Sequence, residues 1–340
     1  MTAERLYQTA CAACHGPEGK GQPQPVVGFD TALPDFSDCA FTTPETDLDW
    51  WSVVHQGGRV RALDRRMPAF GSALSEAEID GVVDHLRAFC AEPGWPRGEL
   101  NFPRAFFTEK AFPENEAVFT VAIERPPEAS IEPQFLFEQR MGRRAQYEIN
   151  VPLAFHRDLG GFWSRGLGDI SLALKYALYD SRSRGLILSA GGEVTLPTGN
   201  EAAGRGGGVT IFEGSAMVGK ALPRAGFLQV HAGFEVPADA ARAGKEIHWR
   251  TAIGKTFYAN RWGRAWSPMV EVLGSRTFGA PIDWDIVPQL QVSLSGLQHV
   301  LLNAGLRIPV HQPLGRSRTV MVYLLWDWFD GGFFSHWRTR

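Results

Sequence analysis

Cysteine is missing from the last 250 residues: all four, Cys11, Cys14, Cys39 and Cys90, fall in the first 90 of 340. That excludes a disulfide scaffold or a cysteine zinc site from the larger part of the molecule. No run approaches 18 consecutive apolar residues, so no membrane-spanning helix is expected. An apolar signal segment is missing too, since the chain opens Met1-Thr2-Ala3-Glu4-Arg5. Charge is short in one sign on each side of residue 95. Residues 1–95 carry 7 Lys and Arg against 14 Asp and Glu, a net −7, and the remainder carries 27 against 23, a net +4. Two units with different partners are implied, and the length allows one small domain and one of ordinary size.

What is present begins with Cys11-Ala-Ala-Cys14-His15, the spacing of covalent haem attachment. Two thiols add to the two vinyl groups of the porphyrin, and the adjacent imidazole reaches the iron from one face. A zinc or thioredoxin-like reading fails, because there is no second CxxC and no βαβ pattern around this one. Residues 3–10 read as a helix with Leu6 and Tyr7 on one side, and Gly16, Gly19 and Gly21 let the chain wrap around a haem edge. One covalent haem c is expected. For the sixth iron ligand the choice is Met67, in Met67-Pro68-Ala69-Phe70. Its neighbours Arg65, Arg66 and Pro68 make a poor core context, and a thioether raises the haem potential. The rival, His55, belongs to the apolar stretch from Trp50 and reads as a helix residue. A last helix starts at Ser75, with Glu78 completing a capping box, and Ile79, Val82, Val83, Leu86 and Phe89 recur at helical spacing. Haem attachment at CxxCH resembles an extracytoplasmic process in bacteria, so a truncated or processed start is expected.

Residues 3–91 resemble small class I cytochromes c. The resemblance rests on CxxCH, the glycine-rich turn, Leu33-Pro34-Asp35-Phe36, the middle helix ending His55-Gln-Gly-Gly, and MPAF ahead of a capped helix. It implies an all-α domain over residues 1–95, with axial His15 and Met67 and with Pro34 backing the haem. Cys39 and Cys90 lie outside the general pattern; a disulfide holding a loop to the final helix and a pair of buried thiols both stay open.

Residues 96–116, with Pro96, Pro103 and Pro113, read as a proline-rich linker. From 117 to 340 the periodicity changes to two. In one run Ile170, Leu172, Leu174, Tyr176 and Leu178 point one way, and Ser171, Ala173, Lys175 and Ala177 the other. Twelve strands are expected near 117–125, 131–140, 144–156, 169–180, 185–196, 209–220, 226–236, 246–258, 264–274, 284–294, 298–309 and 318–329. Short turns and longer loops alternate between them, except that the first connection, 126–130, is shorter than its place requires. That alternation suits an antiparallel up-and-down β-barrel of the outer-membrane type. A soluble sandwich or lipocalin-like barrel is the rival. Charges on the polar faces (Glu132, Glu138, Arg140, Glu148, Lys175, Glu193, Arg250, Glu271, Arg307) suit a wet lumen. Aromatics near strand ends, among them Trp163, Tyr179, Trp249, Phe257, Trp262, Trp266, Trp284, Trp326 and Trp328, suit interfacial girdles.

Residues 131–329 resemble outer-membrane barrels assigned to transport in phenol degradation, through Ile131-Glu-Pro-Gln-Phe, Gly166 to Tyr176 and Leu196-Pro-Thr-Gly199. Such barrels commonly close on a terminal aromatic. Here the chain runs on past Trp328-Phe329 to Arg340, with Phe333, Phe334 and Trp337 near its end. A cytochrome fused to such a barrel resembles the cytochrome–porin fusions of iron oxidisers. The arrangement suggests a one-electron Fe(III)/Fe(II) carrier of the outer membrane. Met67 as sixth ligand argues against an enzyme, and the even strand number, with a lumen too narrow for the globule, puts the cytochrome at the periplasmic mouth of the pore. The expected partners are a periplasmic redox protein, basic or itself a cytochrome, and outer-membrane lipid, with no nucleic acid. The alternative is an outer-membrane channel for an aromatic solute with an accessory cytochrome. His231 and His248, on polar faces of adjacent strands, read as ordinary lumen residues before they read as metal ligands.

Overall fold

The computed structural model describes residues 1–29, 33–124, 130–157, 163–258, 265–311 and 316–328, with His156 and Arg157 described by their backbone alone. The helices are α1 (Ala3–Ala10), α2 (Ala12–His15), α3 (Gln24–Val27), α4 (Cys39–Thr42), α5 (Asp47–Gln56) and α6 (Glu76–Ala88). Thr2 caps α1 by accepting the amide of Arg5, and the Ser75–Glu78 capping box opens α6. Ile79, Val82, Val83 and Leu86 of α6 are buried as their spacing requires. Tyr7 of α1 is fully buried, and its hydroxyl donates to the carbonyl of Gly16 at 2.6 Å. A disulfide joins Cys39 at the start of α4 to Cys90 beyond α6, across a Cα–Cα distance of 5.1 Å.

The strands that follow are β1 (Glu116–Glu124), β2 (Ser130–Met141), β3 (Ala145–Arg157), β4 (Trp163–Leu167), β5 (Ile170–Ser181), β6 (Leu186–Leu196), β7 (Ile211–Leu222) and β8 (Gly226–Pro237). The series ends with β9 (Glu246–Lys255), β10 (Phe257–Tyr258), β11 (Ala265–Thr277), β12 (Asp283–Ser293), β13 (Val300–His311) and β14 (Thr319–Asp327). β4 and β5 are one strand interrupted at Gly168-Asp169, and β9 and β10 one interrupted at Thr256, so twelve strands cross the sheet. Neighbours are antiparallel throughout, and β14 pairs with β1 from Glu116↔Asp327 to Glu124↔Thr319. The sheet is a closed barrel, which leaves no unpaired edge.

Alternation alone cannot tell which face is apolar, but the geometry does. Phe119, Leu174, Leu178 and Leu324 face outward, Leu178 at 63% exposure, while Glu138, Glu271 and Asn303 face inward at 0%. A soluble barrel has the opposite arrangement; an apolar exterior around a polar interior is that of an outer-membrane barrel. Trp266 stacks on Phe257 near the short-turn end, and Trp249 on Trp284 edge to face near the other, as girdle residues. Trp328 differs: it is buried against Phe137. Trp262, the first connection and the chain beyond Trp328 lie outside the described residues.

The segment expected as a linker fills the lumen. Leu100, Phe102, Ala105, Ala111 and Phe112 form one buried cluster with the wall residues Ala177, Ile187, Met217, Phe227, Ala252 and Met269. Beyond a 3₁₀ turn at Gly98–Leu100 this plug has no regular structure, so its backbone groups need partners from the wall. Glu271 accepts the amides of Phe106, Phe107 and Thr108 at 3.0, 3.0 and 2.6 Å. Gln229 donates to the carbonyl of Pro103 at 2.8 Å, Arg250 to that of Phe107 at 3.0 Å, and Tyr323 to that of Arg104 at 2.6 Å. Two wall glycines make room. A Cβ on Gly219 would lie 2.9 Å from the Phe102 ring, and one on Gly305 would lie 2.8 Å from the Phe106 ring.

Glu271→Ala orphans three backbone donors, with the full cost of about 1–3 kcal/mol falling on the buried Thr108 amide. We expect faster amide exchange at residues 106–108 and a larger single-channel conductance, with the barrel still folded. Unchanged exchange and conductance would mean that the plug is held elsewhere.

Candidate haem crevice

Cys11, which caps α2, and His15 at its end line an apolar crevice together with Leu33, Pro34, Trp50 and Met67; Cys14, one residue before His15, is not part of that lining. Three elements place these groups. The turn after α2 folds back through Gly21 N–H to the His15 carbonyl and Gln22 N–H to the Cys14 carbonyl, both at 2.8 Å. Phe36, whose amide reaches the Gly19 carbonyl at 2.7 Å, brings its ring to 5.1 Å from that of His15. The Met67 loop is fastened to the end of α5: Gly58 donates to the Met67 carbonyl at 3.1 Å, Phe70 to that of Val54 at 3.0 Å, and Gly71 to that of His55 at 3.0 Å. Gly57 is in the left-handed region at φ 79°, where a Cβ would sit 2.9 Å from the Met67 carbonyl, so a side chain there would push the methionine loop away.

The residues fit a covalently held haem. His15 Nδ1 is buried with no hydrogen-bond partner. Burial lowers the imidazole pKa to about 4, so the ring is neutral and keeps a lone pair for a metal. Burial first, and then the neighbouring Cys14, push the Cys11 thiol up to about 11, so its sulfur keeps the proton that an addition to a vinyl group consumes. Met67 lines the crevice. His55 does not: its ring stacks on Trp51 at 4.6 Å, as a helix residue would. The sequence reading missed the crevice wall made by Phe29, Phe41, Trp50, Val53 and Leu63. The helical spacing of Trp50, Val53 and Val54 was the available signal.

This crevice sits over the short-turn mouth of the barrel. Asp47, at the start of α5, pairs with Arg87 of α6 at 2.9 Å, with Arg97 of the segment entering the lumen at 2.6 Å, and with Arg182 of the β5–β6 turn. Arg87 in turn lies 3.9 Å over the Trp50 ring, so one chain of contacts runs from the barrel rim to the crevice wall. Glu45 meets His299 of the β12–β13 turn at 3.0 Å, and Arg143 of the β2–β3 turn donates to the Pro93 carbonyl at 2.8 Å.

Comparison with known proteins agrees with two fused units. Residues 1–86 match the family model of cytochrome c oxidase, cbb3-type, subunit III, and residues 154–270 match that of the putative MetA pathway of phenol degradation. No curated protein matches the chain in sequence. Among solved structures, the KdgM porin is 7% identical, with a TM-score of 0.44 over 63% of this chain and 99% of its own. An outer-membrane channel from Pseudomonas putida F1 is 11% identical, with a TM-score of 0.47 over 66% and 99%. Residues 1–86 thus resemble a cytochrome c unit, and a closed antiparallel twelve-strand barrel follows it.

Burial opposes the charge on Asp47, but Arg87, Arg97 and Arg182 hold its carboxyl below the usual aspartate value of 3.8. A depressed folded-state value means the docking contribution is complete above 3.8 and is lost as pH falls below it. Asp47→Asn is expected to speed proteolysis of residues 90–97 on the order of tenfold, equivalent to about 1.4 kcal/mol. The wild-type chain is expected to stay resistant from pH 8 to about pH 4 and to lose that resistance only below it. A variant as resistant as wild type would remove Asp47 as the clamp.

Proposed function

We propose that the chain is a one-electron carrier of the outer membrane, with its cytochrome on the periplasmic side. The observation that carries this reading is the seating of a crevice lined by both His15 and Met67 on the mouth of a barrel whose lumen is filled. Bound haem c would supply an Fe(III)/Fe(II) couple. Cys11 and Cys14 would hold it by thioethers, His15 and Met67 would ligate the iron, and the aromatic wall would exclude water. With His15 and Met67 both holding the iron, the bound group would serve electron transfer in preference to catalysis. The net −7 of residues 1–95 favours a basic redox partner. Short turns face the periplasm in outer-membrane barrels, and the cytochrome is bound to that end.

A band about 25 Å tall separates the two sides, more than one haem at one mouth spans. The donor or acceptor on the other side therefore has to enter the lumen and approach the plug. The match of residues 154–270 to a phenol-degradation family favours a second reading, a channel for an aromatic solute, in which the plug moves aside.

Reconstituted into liposomes, the full chain is expected to let an impermeant external reductant reduce the haem. Solute flux that persists without haem, with no such reduction, would support the channel instead. Met67→Ala is expected to lower the reduction potential by roughly 0.1 V or more, within the ~0.8 V that axial ligands command, and to open the iron to exogenous ligands. An unchanged potential would eliminate Met67 as the ligand.

A further inference from the structure

Two rows of glutamates face the lumen, and only one is neutralised by lysine and arginine. Near the short turns, Glu116, Glu138 and Glu148 lie directly opposite one another on β1, β2 and β3. Arg104 pairs with Glu116 and Glu138, Lys110 with Glu116, and Lys175 with Glu148. Near the long loops, Glu193, Glu213, Glu235 and Glu246 lie directly opposite one another on β6, β7, β8 and β9. Like charges in register destabilise a sheet. Among the described residues, no lysine or arginine forms an ion pair with any of these four.

What faces them is a pair of histidines. His231 and His248 are each 2% exposed, and among the described residues none of their four ring nitrogens has a hydrogen-bond partner. Buried imidazoles normally find a partner. Their rings meet edge to face at 5.1 Å. Glu213 lies 3.7 Å from His231 Nε2 and 3.5 Å from His248 Nε2, and ligand atoms of all three residues fall within 4.8 Å of one another. Glu235 stands 3.5 Å from His248 Nδ1, and Glu109 of the plug 4.0 Å from His231 Nε2.

We propose that His231, His248 and Glu213 form a lumenal site for a divalent first-row transition-metal cation, with Glu109 of the plug as a fourth ligand. Two imidazoles and carboxylates select such a metal over magnesium or calcium, which prefer all-oxygen shells. The four glutamates at the long-loop end draw cations toward it. Because Glu109 belongs to the plug and the other three to the wall, the bound ion ties plug to barrel. The site stands apart from the haem crevice, and its occupancy does not depend on the function proposed above.

The test is metal titration of the purified full chain in detergent, using Co²⁺ absorption and Zn²⁺ calorimetry with Mg²⁺ and Ca²⁺ as controls. We expect one Co²⁺ or Zn²⁺ per chain, and slower amide exchange at residues 106–110 on binding. His231→Ala and His248→Ala are expected each to weaken binding at least tenfold. Glu213→Gln, which keeps size and hydrogen bonding, guards against a loss due to misfolding and is expected to weaken binding while the heat-resistant barrel band persists. Absence of stoichiometric binding, or binding that survives all three substitutions, would overturn the proposal. Equal binding of Mg²⁺ would overturn the assigned metal class.

Discussion

Irregular backbone inside a barrel is tolerated only where side chains satisfy it, and Glu271 does more of that here than any other single side chain. Its carboxylate takes three successive amides at the tip of the plug, and Gln289 donates to it at 2.7 Å from the next strand. Gln289 also accepts from Asn303 at 2.7 Å, so the tip is tied to three neighbouring strands at once. Removing the plug would leave this network and the phenylalanine-sized gaps at Gly219 and Gly305 facing one another across an empty lumen. The plug, and not the barrel alone, therefore sets how much of the lumen is open.

The same segment settles the electrostatics of the near end. Arg104 and Lys110 travel into the lumen on the plug and meet glutamates that would otherwise repel one another across β1, β2 and β3. A buried pair of this kind contributes little net stability, but losing one partner is costly, so the charges fix where the plug sits more than how firmly the barrel holds together. Among the described residues no lysine or arginine forms an ion pair with the four glutamates of the far end, and the histidine pair faces them instead.

Much of this was legible in the sequence and some was not. CxxCH, the Ser75–Glu78 box and the period-two runs depend on neighbours close along the chain, and such local signals located α1, α5, α6 and all twelve strands. The side of the sheet facing lipid could be argued from charge but not proved until Leu178 and Glu138 were seen on opposite faces. The plug was hidden because proline-rich, irregular sequence reads alike whether it lies in water or is packed in a lumen. Its partners, Glu271 and Tyr323, lie more than 160 residues away. Cys39 and Cys90 carried a weaker version of the same difficulty, since 51 residues separate them. The metal cluster required knowing that His231 sits opposite Arg250, which places His248 two residues along on the same inner face.

The plug enters past Gly98, beside the Thr43 carbonyl, and leaves at Glu116, which pairs with Asp327; both points lie at the short-turn mouth. A hairpin whose two limbs share one opening is not threaded through the ring of strands. The barrel can close first and receive the hairpin afterwards, and no strand pairing has to break for it to withdraw. The cytochrome is attached to one limb of that hairpin, so a pull on the globule at the rim is transmitted along the chain to residues at mid-depth in the lumen.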